Sequence, residues 1–194
     1  MMTEQLEARN PRTGRIDYST PMTRPDELTA TVQRLRKHGS HWAVAGVAHR
    51  VKALGDFRRC LAARREIMIE ALTTDTGRWR ESELEVDATL ATLDRWMAEA
   101  PALLADPAPR PANIDFINGE QHARPYPVVG VISPWNFPLL LALIDAVPAL
   151  LAGSTVLIKP SEVTPRYIEV ADAALQETPE LKEAMAWLVG DARL

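Results

Sequence analysis

The stretch from Pro127 onward limits the possible folds of this chain more than any other part of it. Val128-Val129-Gly130-Val131-Ile132 is a short, continuous apolar run of strand type. A turn bounded by Pro134 and Pro138 follows, then an apolar helix over about residues 139–151 that Gly153 ends. Thr155-Val156-Leu157-Ile158 reads as a second buried strand. Thr164-Pro165 reads as a helix start, with a capping hydroxyl and a proline in the first turn, and residues 186–189 read as a third strand. Strand, helix, strand, helix, strand is the alternation of a parallel sheet with right-handed crossovers, so the predicted fold class is α/β.

Ahead of that stretch the chain is mostly helical. The opening through Ser19 is polar, with a turn at Asn10-Pro11-Arg12-Thr13-Gly14, and is expected to pair only weakly as an edge strand. Thr23 before Pro25, Asp26 and Glu27 is a helix-start signal, with the hydroxyl free to cap; Leu28, Val32 and Leu35 then form an apolar face and Gly39 is expected to stop the helix. A second helix is predicted over about residues 47–73 on Val51, Leu54, Leu61, Met68 and Leu72, with Gly77 in the break after it. A third, over about residues 81–100, carries Val86, Leu90, Leu93 and Met97. All three read as packing elements rather than parts of a site. Residues 101–111 are rich in Pro and Ala and read as a connector. Residues 114–117, then Asn118-Gly119, then Glu120 onward read as a β-hairpin with a tight type I′ turn at Asn-Gly. Such an arm has little core of its own and is expected to lie against another domain or subunit.

Composition removes several function classes. An apolar share of 46% and a charged share of 25% are globular values and argue against disorder throughout. The net charge of −4 does not suit a surface built for nucleic acid, and Arg34, Arg36, Lys37 and His38 read as a solvated helix end. No secretory signal is visible near Met1. The apolar run over residues 137–153 carries Asp145 and Pro148 and is too short for a membrane span, so a soluble cytoplasmic protein is expected. With one cysteine, Cys60, an intrachain disulfide is impossible and no metal site is expected; Phe57, Leu61 and Arg64 at helical spacing around it suggest a packing residue rather than a nucleophile.

In a parallel sheet, ligands gather at the carboxyl ends of the strands, which singles out residues 133–138 and 159–162. Between its two prolines Asn136 holds an amide that can donate toward an oxyanion appearing only during reaction, or can simply satisfy turn backbone. Lys159 and Glu162 could donate to and accept from neighbouring ribose hydroxyls, or form a surface ion pair worth little. A Gly-x-Gly-x-x-Gly fingerprint and a P-loop are both missing.

The run Gly130-Val131-Ile132-Ser133-Pro134-Trp135-Asn136-Phe137-Pro138, with Lys159-Pro160-Ser161-Glu162 placing its lysine 23 residues after Asn136, resembles the aldehyde dehydrogenase superfamily. The resemblance extends over nearly the whole chain, through the Asn10-Pro11 opening, the helix carrying Arg50 and Leu54, Thr76-Gly77, residues 81–86 and Leu188-Val189-Gly190, yet covers only about the first two fifths of a typical member. It implies a partial aldehyde dehydrogenase fold: helices over residues 1–112, a β-hairpin oligomerisation arm over 113–127, and an incomplete parallel Rossmann-like sheet over 128–194. It implies NAD(P)-dependent oxidation of an aldehyde to a carboxylic acid, with Asn136 as the oxyanion donor to the thiohemiacetal formed on a cysteine. Ile132, Ser133, Pro134 and Trp135 would then line the nicotinamide cleft, and Lys159, Ser161 and Glu162 would lie at the adenosine ribose. The Glu162 carboxylate leans the choice toward NAD, although Lys159 and Ser161 would tolerate NADP.

In the family the glycine-rich segment, the glutamate base and the cysteine nucleophile lie downstream of the position matching Gly190, and Cys60 matches no catalytic position. A truncated chain without the catalytic domain, inactive alone, is therefore expected. The alternatives are one half of a split dehydrogenase, or a non-catalytic protein pairing through its arm with a second copy or a full-length relative.

Overall fold

The computed structural model describes residues 4–111, 116 and 118–194. Strands β1 (Gln5–Arg9) and β2 (Ile16–Pro21) form an antiparallel hairpin. Helices α1 (Pro25–Val44), α2 (Val47–Ala62), α3 (Arg65–Thr76) and α4 (Trp79–Leu103) follow, and then two short antiparallel strands, β3 (Arg110–Pro111) and β4 (Asn118–Gly119). The rest is β5 (Val128–Ile132), α5 (Pro138–Ala152), β6 (Thr155–Lys159), α6 (Arg166–Gln176), α7 (Pro179–Ala184) and β7 (Met185–Trp187). The last three strands form one parallel sheet in the order β5-β6-β7, the α/β alternation read from the sequence. Strand β6 is central: Val156 and Ile158 on one face are fully buried, and on the other Thr155 is buried and Leu157 partly so.

Several local expectations give way to tertiary contacts. The opening pairs more fully than its polarity suggests: Leu6 and Ala8 are buried, and the Asn10 side chain braces the turn by accepting from Arg12 N at 3.0 Å. Gly39 does not stop α1 but lies inside it, because a Cβ there would stand 3.0 Å from the Pro127 carbonyl oxygen; the glycine lets the chain entering β5 pass close to the helix. The helix predicted over residues 47–73 is two helices, broken where Arg64 leaves helical geometry, so that α2 packs on α4 and α5 while α3 turns to pack on α4 and α6.

Both threonines expected to cap helices are engaged elsewhere. Thr23 trades backbone and hydroxyl bonds with Val189, at 2.7 and 3.0 Å, and tethers the start of α1 beside β7. Glu27 takes the Arg24 amide at 2.9 Å in its place. The Thr164 hydroxyl points to the Trp135 carbonyl, and the first turn of α6 is capped from α3 by Asp75, which accepts from Arg166 N at 2.9 Å. Asn118-Gly119 is not the hairpin turn. It is strand β4, with Asn118 opposite Pro111 and Gly119 opposite Arg110. The strand predicted over residues 114–117 falls on positions of which only 116 is among those described.

A buried cation joins the carboxyl ends of α1 and α5. Arg50 is 5% exposed and donates from Nε to Leu151 O at 2.8 Å and from Nη1 to Trp42 O and Ala43 O at 3.2 and 2.9 Å. These are final-turn carbonyls of α5 and α1, which have no partner within their own helices. Trp42 Nε1 adds a bond to Leu150 O at 3.0 Å, so one indole and one guanidinium close the carboxyl ends of two helices together.

Candidate functional site

The parallel ladder runs one residue past β5, since Ser133 N donates to Lys159 O at 3.1 Å, and then the chain must leave the sheet at Pro134. Residues 134–136 are exposed and Pro138 opens α5. The Asn136 side-chain amide takes no partner among the described residues. The bonds this turn makes run through its carbonyls, Trp135 O to Thr164 and Phe137 O to Leu141 N, and the Asn136 side chain is not engaged with the turn backbone. The Asn136 backbone carbonyl receives the guanidinium of Arg78, which also lies over the Phe137 ring at 5.3 Å from the centroid.

The start of α5 is closed from a distance. Pro138 has no N–H, Leu141 N reaches Phe137 O, and the remaining orphans, Leu139 N and Leu140 N, both donate to Glu85 Oε1 at 2.8 and 3.1 Å. Glu85 is 2% exposed; burial pushes its pKa up to about 7, against the two amide bonds and Arg78, which favour the carboxylate. Tyr167 is fully buried beside it. Its phenol and the hydroxyl of Ser133 face one another without the geometry of a hydrogen bond, and burial raises the phenol above its ordinary range. Ser133 therefore turns its side chain inward and can line a cleft only with its backbone.

At the end of β6, Lys159 Nζ lies 3.0 Å from Glu162 Oε2, the amine mostly buried and the carboxylate partly open. A backbone amide bond and Lys159 hold the Glu162 carboxyl below the usual range. The charge of Asp191, past β7, also acts on Glu162. The Ser161 hydroxyl is taken up locally, accepting from Val163 N at 3.2 Å. Ile132, Trp135 and Val163 leave large apolar side chains exposed around these strand ends, Ile132 at 83%. The structure thus brings the loops after β5 and β6 together, through Thr164 and Trp135 as well as the ladder, with Asn136, Lys159 and Glu162 at their outer edge.

Other features of the surface carry less chemistry. A cavity of about 480 Å³ between α3 and α6 is lined by Tyr18, Arg64, Thr74, Arg166 and Glu169, but Arg64 is paired with Glu177, and Arg166 with Asp17 and Asp75. Cys60 is half-buried on α2 and burial pushes its thiol up, the opposite of activation. Among the described residues no cluster of acidic, histidine or cysteine side chains could hold a metal, and no helix is long and apolar enough to cross a membrane.

Arg78, Glu85 and Tyr167 were not picked out by sequence reasoning, which assigned the helix over about residues 81–100, and Glu85 with it, to packing and left Arg78 in the break before it. The available signal was Glu85 itself, a charge between Ser82, Val86 and Thr89 at helical spacing.

The sequence model of the aldehyde dehydrogenase family matches residues 1–193. A Mycolicibacterium smegmatis protein assigned as an NADP(+) succinate-semialdehyde dehydrogenase is 32% identical over 179 residues, 89% of this chain and 34% of that protein. The 4,4'-diapolycopene aldehyde oxidase of a Methylomonas species is 30% identical over 194 residues, covering 97% of this chain and 36% of its own. A solved structure assigned to an aldehyde dehydrogenase of Anabaena variabilis is similar at 43% identity with a TM-score of 0.94, over 98% of this chain and 40% of that one. The chain spans about a third of the length of these curated relatives.

Proposed function

This chain belongs to the aldehyde dehydrogenase family, and from that premise we propose that it supplies the cofactor side and the oxyanion donor of a nicotinamide-dependent oxidation of an aldehyde to a carboxylic acid. The observation that carries the reading is the Lys159–Glu162 pair at the carboxyl end of β6: the two are bonded to each other at 3.0 Å in this structure, and they set a donor and an acceptor side by side where a parallel sheet binds its ligands, to be shared with the hydroxyls of a ribose. The nicotinamide, when bound, accepts the hydride from the aldehyde carbon.

The chain's own residues bind and orient. Lys159 donates to a ribose hydroxyl and Glu162, held ionised by its surroundings, accepts from one. A 2′-phosphate would be repelled by that carboxylate, which favours NAD over NADP. The exposed edge formed by Ile132, Pro134 and Trp135 gives an apolar wall for the nicotinamide, while Ser133 serves through its backbone. Asn136 donates its free amide to the oxygen that gains charge as a thiolate attacks the aldehyde, a donor already in place before the charge appears. Cys60 is unsuited to be that thiolate, with its raised thiol on a helix away from the loop. Nucleophile and general base are proposed to come from residues other than these 194, so the chain alone would bind cofactor without turning over aldehyde.

Titration calorimetry with NAD and NADP tests the reading. NAD is expected to bind, NADP more weakly, and Lys159→Ala to lose about tenfold in affinity, the scale of one charge-assisted hydrogen bond. Absence of binding at millimolar cofactor, or an unchanged affinity in Lys159→Ala, would sink it.

A second reading has its own observation. Phe116 and Tyr126 are 88% and 77% exposed along the arm of residues 113–127, an arrangement suited to pairing with another subunit or a full-length relative. Sedimentation of the folded chain at increasing concentration decides it: a strict monomer that does not associate with such a relative counts against pairing.

A further inference from the structure

Residues 134–138 cannot hold themselves in place. Two of the five are prolines without N–H groups, and the N-cap of α5, Phe137, has no side-chain acceptor for the helix start. Thr164 reaches Trp135 O near the start of the segment, and the rest of what fixes it comes from the start of α4: Arg78, the extended residue that caps the helix, and Glu85, inside its second turn. Arg78 takes the Asn136 carbonyl and covers the Phe137 ring; Glu85 takes the amides of Leu139 and Leu140. One residue grips the loop on the backbone of Asn136, and the other fixes the point where the loop becomes helix.

We propose that Arg78 and Glu85 are positioning residues for Asn136, a pair at the start of α4 that sets the loop so that the Asn136 amide stays free of protein partners and open at the strand ends. The use made of that amide rests on the reading of Asn136 as oxyanion donor; the placement of the amide does not.

The charged and titratable groups acting on Glu85 are Arg78, just before its own helix, and Tyr167, from α6, together with the positive end of α5. Arg78 and the helix end favour the carboxylate while burial opposes it, and the balance falls near pH 7. The grip on Leu139 and Leu140 is therefore titratable close to neutrality, which supplies a readout that packing alone would not move.

Nitrogen-15 NMR of the full 194-residue chain can follow the Leu139 and Leu140 amides and the Asn136 side-chain NH2 as pH is raised from 5.5 to 8.5, a window of about 1.5 units either side of the Glu85 midpoint. All three sets of signals are expected to move with one midpoint near 7. Glu85→Gln, which keeps the shape and one acceptor oxygen, should abolish the midpoint and leave the Asn136 signals near their low-pH positions. Glu85→Ala and Arg78→Ala should each displace the Asn136 NH2 signals; Arg78 is half-buried, so its variant reads the loop even where Glu85→Ala unfolds the chain. Two results would overturn the proposal: Asn136 signals that stay put in Arg78→Ala, or Leu139 and Leu140 titrating while Asn136 does not, which would reduce Glu85 to a helix cap. Neither depends on catalysis. Failure of the oxyanion reading would instead appear as unaltered aldehyde turnover by an Asn136→Ala chain completed with the missing catalytic residues.

Discussion

Glu85 ionises well above the usual carboxylate range, and its effect on stability has a definite sign. Its pKa rises from 4.5 in the unfolded chain to about 7 in the fold, so the folded state holds the proton more tightly. The associated stability is fully present below pH 4.5 and is lost as pH climbs through 7, a difference of about 3 kcal/mol between the two limits. Denaturant unfolding should thus show the wild-type chain losing stability relative to Glu85→Gln between these pH values and running parallel to it above them. Parallel curves throughout would mean that Glu85 ionises normally. The residue was invisible in the sequence for a physical reason: a glutamate on a helix reads as solvated, and only the docking of α4 on α5 removes its water and brings two unpaired amides to it. Asn136, Lys159 and Glu162 could be singled out because they follow apolar runs that read as parallel strands, whereas the residues that hold the Asn136 loop come from a distant helix start and leave no local mark.

At the scale of elements, what the sequence could show was periodicity, and what it could not show was who approaches whom. The three parallel strands and their helices follow from apolar runs bounded by prolines and glycines. Gly39 follows from nothing local. Alanine is ordinarily the better helix residue by about 1 kcal/mol, yet Gly39→Ala should destabilise the fold by about 1–3 kcal/mol, because its Cβ would stand 3.0 Å from the Pro127 carbonyl. A rise in melting temperature would contradict that contact. Arg50 is a similar case: its helical spacing placed it on α2, but its role depends on the carbonyl ends of α1 and α5 meeting above it. Arg50→Met keeps most of the volume and strands three buried carbonyls, at a cost on the order of 3 kcal/mol in unfolding free energy. A loss within 0.5 kcal/mol, the scale of an ordinary surface change, would show the carbonyls finding other partners. The break at Arg64 and the hairpin pairing at Arg110 and Gly119 were missed for the same reason, since a helix boundary and a strand register are decided by neighbours rather than by propensity.

Over the whole molecule, the helices of the first half serve the sheet of the second. Asp75 on α3 caps α6 through Arg166, Arg166 reaches on to Asp17 in β2, and Thr23 ties the chain before α1 to Val189. The result is that the strand ends carrying Asn136, Lys159 and Glu162 belong to a sheet packed by α1 and α5, with Ile132, Trp135 and Val163 exposed around them. Family membership and the α/β architecture rest on the whole of this arrangement; the cofactor assignment rests on those strand ends alone. The most direct test is a residue-resolved map of NAD binding to the chain by amide chemical shifts. The account predicts perturbations at residues 132–136 and 159–162, with Lys159→Ala weakening them. Perturbations confined to the 480 Å³ cavity lined by Tyr18, Arg64 and Arg166, with the strand ends silent, would contradict it.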